Sequence, residues 1–206
     1  MEVLLKCLIR SYLRMICANS CSCGADYSGH FSYLIASQMN QVEYLSVSNC
    51  SNTTSGYCPI RLDFGDQRVD NTNSSMNNAE RVSGIWIESP SSVTSSYCTF
   101  SNNKVSFSIC IYFYSTSGTI SMSYANIVHN NSPSQYGVVF VNGAGSKMMM
   151  YCIFKNNQNT LFCVNQGSLE VSHSFIDHSG TLSYGAVSTS NYNSFTNTFR
   201  ATNKEH

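Results

Sequence analysis

Tyr97-Cys-Thr-Phe-Ser-Asn-Asn103 and Tyr151-Cys-Ile-Phe-Lys-Asn-Asn157, laid over each other, agree at five of seven positions across a separation of 54 residues. Midway between them lies Tyr124-Ala-Asn-Ile-Val-His-Asn130, which keeps the tyrosine, the central apolar residue and the final asparagine. Self-similarity at a fixed period of this size is the signature of stacked repeats. Working outward, the pattern returns at His173–Ser179 and Tyr192–Thr198. Upstream it returns at Tyr44–Cys50 and, in its most degenerate form, at Asn73–Ala79. The seven copies start 29, 24, 27, 27, 22 and 19 residues apart.

Between successive copies sits a second element: Phe31–Ala36, Ile60–Phe64, Gly84–Glu88, Ile109–Tyr114, Tyr136–Val141, Thr160–Val164 and Tyr184–Ser188. These segments are short, rich in β-branched and aromatic residues, and followed by Gly, Pro, Ser or Asn turn chemistry. A unit of about 25 residues holds two or three short strands and no helix, which points to a β-solenoid rather than to helical-pair or leucine-rich repeats. The expected fold is all-β, a right-handed parallel β-helix of about seven coils, with handedness taken from the general rule for parallel crossovers. It divides into an N-terminal cap over 1–29, the β-helix over 30–198 and a tail over 199–206.

Stacking makes the column arithmetic specific. Equivalent positions of successive coils lie about 4.8 Å apart, so Val47, Met76, Phe100, Ile127, Phe154, Ile176 and Phe195 should form one inward apolar ladder. Beside it, Asn103, Asn130 and Asn157, with an Asn at Asn49, at Asn77 or Asn78, and at Asn197, should form an asparagine ladder whose amides hydrogen-bond along the axis. Cys98 and Cys152 are equivalent but two coils apart, about 9.6 Å by the same spacing, too far for a disulfide, so two buried thiols are expected.

Composition narrows the function classes. The 206 residues carry 11 Lys plus Arg against 11 Asp plus Glu, so no net field recruits nucleic acid or an anionic membrane. Ser and Asn exceed a quarter of the chain, yet 42% of residues are hydrophobic and they recur in short runs, which argues for a folded, strand-rich chain with a neutral surface. No stretch has the length and apolarity of a membrane-spanning helix. Met1 to Cys17 is apolar but carries Lys6, Arg10 and Arg14 four apart, the spacing of one helical face, and is read as a short amphipathic helix capping the solenoid's end. Cys17, Cys21 and Cys23 cluster without paired C-x-x-C spacing, so no zinc or other metal site, and no cofactor, is expected.

The only local group with the ingredients of polysaccharide chemistry is Asp63, Asp66 and Asp70 with Arg61 and Arg68; clustered carboxylates can bind Ca²⁺ or act as general acid and base. The expectation is an irregular solvated turn, with catalysis as the alternative. His173, Asp177 and His178 lack an accompanying nucleophile, and His173 falls in the tyrosine column. Tyr112-Phe-Tyr114 is the most aromatic stretch; strand alternation puts two of its three rings on one face, so Tyr112 and Tyr114 are the binding candidates if they point outward and Phe113 inward. Four N-x-S/T sequons occur, at Asn49, Asn52, Asn73 and Asn130, and permit glycosylation in a secreted chain.

The repeat resembles the right-handed β-helix repeat of the chlamydial polymorphic outer-membrane proteins and of related surface proteins of trichomonad parasites. Those pair an F-x-x-N motif with a G-G-A-I-like motif. Here Phe100–Asn103 and Phe154–Asn157 are intact, Ile127–Asn130 is a conservative variant, and the second motif survives weakly as Gly137-Val-Val-Phe140 and Gly185-Ala-Val187. The resemblance spans roughly residues 30–198. It implies an extracellular β-helix, adhesin-like and on a cell surface or secreted, or part of a larger ectodomain, binding a host protein or glycan without catalysis. A β-helix lyase or hydrolase is the alternative.

Overall fold

The computed structural model describes residues 3–6, 9–19, 30–50, 58–105, 109–115, 117–132, 135–178 and 180–190. Within them every regular element is a strand, and the strands stack in parallel into three sheets of eight, thirteen and four strands. The chain is a right-handed β-solenoid of about five turns. The eight-stranded sheet contains Cys58–Asp63, Val82–Glu88, Ile109–Tyr114 and Val139–Asn142. We call it the aromatic sheet. The thirteen-stranded sheet folds at a corner into two arms, exemplified by Ser92–Ser96 and Thr99–Ser101. The smallest sheet is built from two-residue strands such as Lys104–Val105.

The apolar ladder forms. Phe100, Ile127, Phe154 and Ile176 succeed one another through direct pairing in the second arm, and Val47 joins them one coil further back through Ser74. Val47, Phe100, Ile127 and Phe154 are sealed from solvent and Ile176 packs against the same core. Each buried Phe or Ile contributes about 1.5–3 kcal/mol by leaving water. One expected member is wrong. Val47 and Phe100 both pair with Ser74, while Met76 is 51% exposed at a corner with φ +54°. The degenerate copy begins two residues earlier, at Asn71, whose left-handed φ of 49° matches Tyr97. The Ser74 hydroxyl tolerates the core because it donates to the Gly84 carbonyl (3.1 Å). Phe195 and Asn197 lie outside the described residues.

Two asparagine functions explain the F-x-x-N spacing. The backbone N–H groups of Cys50, Asn77, Asn103 and Asn130 donate to the Oδ1 atoms of Asn77, Asn103, Asn130 and Asn157 one coil on, at 2.9, 3.0, 3.1 and 3.0 Å. Each Nδ2 reaches back to the carbonyl of the ladder residue one coil before: Val47, Ser74, Phe100 and Ile127, at 3.3, 2.8, 2.9 and 2.7 Å. One side chain thus satisfies two corner groups that strand pairing cannot reach. Asn49 is not a member; it occupies the exposed left-handed corner with φ +50°.

The N-terminal cap is a strand rather than a helix. Arg10–Asn19 pairs in parallel with Met39–Ser48 and buries Ser11 and Leu13. A spacing of four residues is even, so it suits period two as well as a helical face. Arg10 and Arg14 both point to solvent, and Arg14 approaches Glu43 (3.7 Å). Gaining a full hydrogen-bond ladder on a ready-made sheet edge outweighs the helical option.

The third inward column holds polar groups that cap the corner between the aromatic sheet and the first arm. Asn40 donates to the carbonyls of Asp63 and Phe64, both at 2.9 Å. Lys147, fully buried, points its ammonium at the carbonyls of Gly143, Ala144 and Gly145, and burial lowers its pKa. Gly143 is required there: at φ +113° a Cβ would lie 2.2 Å from the Ser115 carbonyl oxygen. Cys98, Cys110 and Cys152 are free, buried thiols, as expected for the first and last. Cys50 is in a disulfide.

Asn130→Ala would orphan the buried Asn103 N–H and the Phe100 carbonyl, at about 1–3 kcal/mol for each such group. Urea denaturation should show a loss of roughly 3 kcal/mol against less than about 0.5 kcal/mol for the exposed Gln158→Ala. Burial pushes the thiols up from 9, to about 11 for Cys98 and about 12 for Cys110 and Cys152. The native state therefore keeps protons that the unfolded chain releases. This stabilisation is complete below pH 9 and is lost as pH rises through the folded values. Stability measured across that alkaline window should fall, and Cys98→Ala with Cys152→Ala should flatten the slope.

Candidate functional site

The aromatic sheet turns one set of side chains to the core and the other to solvent. Leu62, Ile87, Phe113 and Val141 point inward, one per coil, and are sealed. The register of their outward neighbours stacks Tyr33, Arg61, Trp86, Tyr112, Phe140 and Cys163 in one column. Two residues on, a second outward column runs through Asp63, Glu88, Tyr114 and Asn142.

At one end of the first column the Arg61 guanidinium lies between the rings of Tyr33 and Trp86, 4.9 and 4.5 Å from their centroids. It also donates to Asp63 from Nε (2.9 Å) and Nη2 (3.1 Å), and to Glu88 (2.6 Å). Burial alone would lower the Arg61 pKa, but the hydrogen bond to Asp63 and the charges of Asp63 and Glu88 more than offset it. Tyr33 donates to Asp63, and burial together with that bond raises its pKa. Glu88 is also raised, by burial first, against the opposing pull of Arg61. Asp63 is only 3% exposed. These carboxylates are thus occupied in holding Arg61 flat between two rings, which props up the Trp86 face.

Beyond Trp86 the column opens. Trp86 meets Tyr112 edge-on at 5.1 Å, Tyr112 stacks on Phe140 at 5.4 Å, and Tyr136 leans on Phe140 at 5.0 Å. Together with Arg81, Asn142 and Asn165 these rings line a shallow groove of about 310 Å³. Asn142 Nδ2 donates to the Tyr112 hydroxyl (3.4 Å) and Asn165 Nδ2 to Asn142 Oδ1 (3.2 Å). An aromatic floor with amides at its margin is a surface for a ligand that presents an apolar face and hydroxyl edges.

The structure sorts the sequence candidates. Tyr112 and Tyr114 point outward, half-buried and 6.2 Å apart, with Phe113 sealed between them; Tyr112 lies in the groove and Tyr114 beside it. The acidic cluster does not assemble. Asp63 belongs to the aromatic sheet, whereas Asp66, Arg68 and Asp70 lie around a corner on the first arm. There Arg68 pairs with Asp70 (2.6 Å), and Ser92 and Ser96 donate to Asp66 and Asp70. The chain turns between Asp63 and Asp66, so proximity in sequence puts them on different faces. His173 lies tilted against Tyr151 at 5.3 Å, continuing an exterior column in which Tyr97, Tyr124 and Tyr151 stack 5.2 and 5.1 Å apart. Both nitrogens of His178 face backbone carbonyls.

Of the sequons, Asn49 is exposed and Asn73 half-exposed, and Asn52 lies outside the described residues. Asn130 is a correction: its amide is sealed in the asparagine ladder and spends both N–H groups there. A glycan cannot be carried on it in the folded chain. Cys17 is exposed and free, while Cys21 and Cys23 lie outside the described residues. Among the described residues no group of three His, Cys, Asp or Glu side chains could hold a metal ion. No described helix is long and apolar enough to cross a membrane.

Tyr33, Trp86, Tyr136 and Phe140 are not marked as parts of a site by the sequence, which offers Arg61 only as a member of the acidic cluster. The signal was present: aligning the second elements by their last inward residue puts Trp86, Tyr112 and Phe140 in one column. Comparison with protein-family models, with curated proteins and with solved structures gives no match.

Arg61→Met would strand the buried Asp63 carboxylate without its cation. The expected loss is about 3 kcal/mol in urea denaturation, since breaking one side of a buried pair leaves an uncompensated charge. Replacing Asp63 as well, by Leu, should recover part of that loss.

Proposed function

We propose that this protein is a non-catalytic glycan-binding β-solenoid that uses the outer face of its aromatic sheet, and that it works outside the cell, on a surface or secreted. The observation that carries the reading is the Trp86–Tyr112–Phe140 column with Tyr136, where the exposed Tyr136 and the half-buried Trp86 and Tyr112 line a groove over the buried Phe140 and are edged by Asn142 and Asn165. Sugar rings offer a C–H face to aromatic planes and hydroxyls to side-chain amides, and a groove of this kind gives both in one place. The Asp63 and Glu88 carboxylates bound to Arg61 serve the platform, which favours recognition over bond cleavage.

An exposed acceptor sequon at Asn49 and a half-exposed one at Asn73 suit an extracellular setting. The resemblance of the F-x-x-N repeat to chlamydial and trichomonad surface β-helices supports the same setting and an adhesive role, with a host glycan as the partner.

Screening the folded protein on a glycan array, followed by calorimetry on the best ligand, tests this. Tyr112→Ala and Tyr136→Ala should each weaken binding at least about tenfold, or 1.4 kcal/mol, while Tyr97→Ala, in the exterior stack, should leave it unchanged. Absence of glycan binding, or binding indifferent to both groove variants with folding intact, would overturn the assignment.

A further inference from the structure

We propose a second carbohydrate site on a different face of the solenoid: the outer side of the second arm binds one neutral polysaccharide chain lying along the axis. It rests on other residues than the aromatic groove. In this arm the strands Asn73–Ser75, Thr99–Ser101, Asn126–Val128 and Ile153–Lys155 pair one above another. Each ends in a left-handed corner, at Met76, Asn102, His129 and Asn156. The first three of these corner residues are exposed and wall a trough of about 700 Å³, floored by the outward side chains of the strands.

The floor carries polar groups that the fold itself does not use. Ser75 lines the trough and is only 7% exposed, yet its hydroxyl has no hydrogen-bond partner among the described residues. The side chains of Thr99, Ser101, Asn102 and Asn126, all in the lining, likewise make no hydrogen bond among the described residues. A hydroxyl sunk into the wall has already lost much of its water, so a ligand that bonds to it recovers a cost the fold has incurred. Val128 and Ile153 continue the floor as an apolar patch for the C–H face of a sugar ring. No Asp, Glu, Lys or Arg stands among the described lining residues. A charged chain would surrender hydration here without meeting a counter-charge, so the ligand is neutral.

The period of the trough decides between polymers. Equivalent positions recur about 4.8 Å apart from coil to coil. An extended peptide turns like-facing groups to one side about every 6.6 Å and falls out of step within two coils. An equatorially linked hexopyranose unit is close to one coil step in length, so each coil meets one sugar. Hydroxyls of successive sugars then reach the Thr99 and Ser101 hydroxyls on one coil and the Asn126 amide on the next.

Calorimetry with cello-, manno- and chito-oligosaccharides of two to six units tests this on the intact chain. Asn73 is in the lining, so any glycan on it is first removed with an endoglycosidase. In at least one series affinity should rise about tenfold from two units to four, level off beyond, and be indifferent to salt. Asn126→Ala should weaken the four-unit ligand about fivefold. The trough-filling Ser101→Trp should abolish its binding, and Tyr112→Ala should leave it unchanged, with circular dichroism showing each variant folded. Absence of binding in every series, affinity independent of length, or a preference for extended peptides overturns the trough assignment. So does binding that survives Ser101→Trp but is lost in Tyr112→Ala, which places the ligand in the aromatic groove. None of these outcomes touches the reading of that groove, which stands or falls with its own Tyr112 and Tyr136 variants.

Discussion

Backbone hydrogen bonds passed from coil to coil are the constraint on which the molecule depends, and the corners are where they are hardest to supply. Strands of two to ten residues cover most of each turn with regular pairing, but each bend leaves N–H and C=O groups facing the interior. A buried peptide group without a partner costs as much as several good contacts return. Asn77, Asn103, Asn130 and Asn157 close one corner, each giving an acceptor to one coil and a donor to another. Asn40 and Lys147 do the equivalent work at another. The apolar columns can be dry because these polar side chains make the corners dry as well.

Sharp corners need unusual backbone. Tyr44, Asn71, Tyr97, Tyr124, Tyr151 and His173 all adopt left-handed φ, between 49° and 57°. Each non-glycine residue there costs roughly 1–2 kcal/mol. The strain is repeated rather than avoided because the N–H groups of Asn71, Tyr97, Tyr124, Tyr151 and His173 each pair with the next coil, as Tyr124 does with Met150 and Tyr151 with Ser172. The exposed rings then stack on one another. The inside of the solenoid and its corners are thus heavily constrained, which leaves the outward strand positions as the place where composition can serve recognition. The aromatic sheet uses them for a graded surface, from an ion-paired arginine sandwich at one end to an open groove at the other.

Much of the architecture was legible because the two most demanding positions sit in one short motif. Phe100 and Asn103, or Phe154 and Asn157, must fill a column and cap a corner at fixed separation, so their spacing survives in the chain. Where small polar residues substitute, the signal fails: Ser74 occupies the ladder through a hydrogen bond to Gly84, and the more apolar Met76 draws the reading two residues out of register. The N-terminal segment misled for a related reason, since cations four residues apart satisfy both a strand and a helix. The candidate site was only partly legible. Tyr112 and Tyr114 were visible as an aromatic run, but their neighbours come from other coils, across corners of unequal length such as the loops before Gly118 and Gly145.

The sequence by itself determined that this chain repeats, that its repeats are strands, and that phenylalanine and asparagine columns would line the interior. Those properties follow from periodicity and from what a side chain must do when its equivalent lies one strand spacing away. Only the tertiary structure decided which outward residues become neighbours, because that depends on summed corner lengths. By that sum Arg61 lies between Tyr33 and Trp86, Asp63 is separated from Asp66, Asn130 is hidden, and Arg81 stands at the edge of a groove floored by Tyr112 and Phe140.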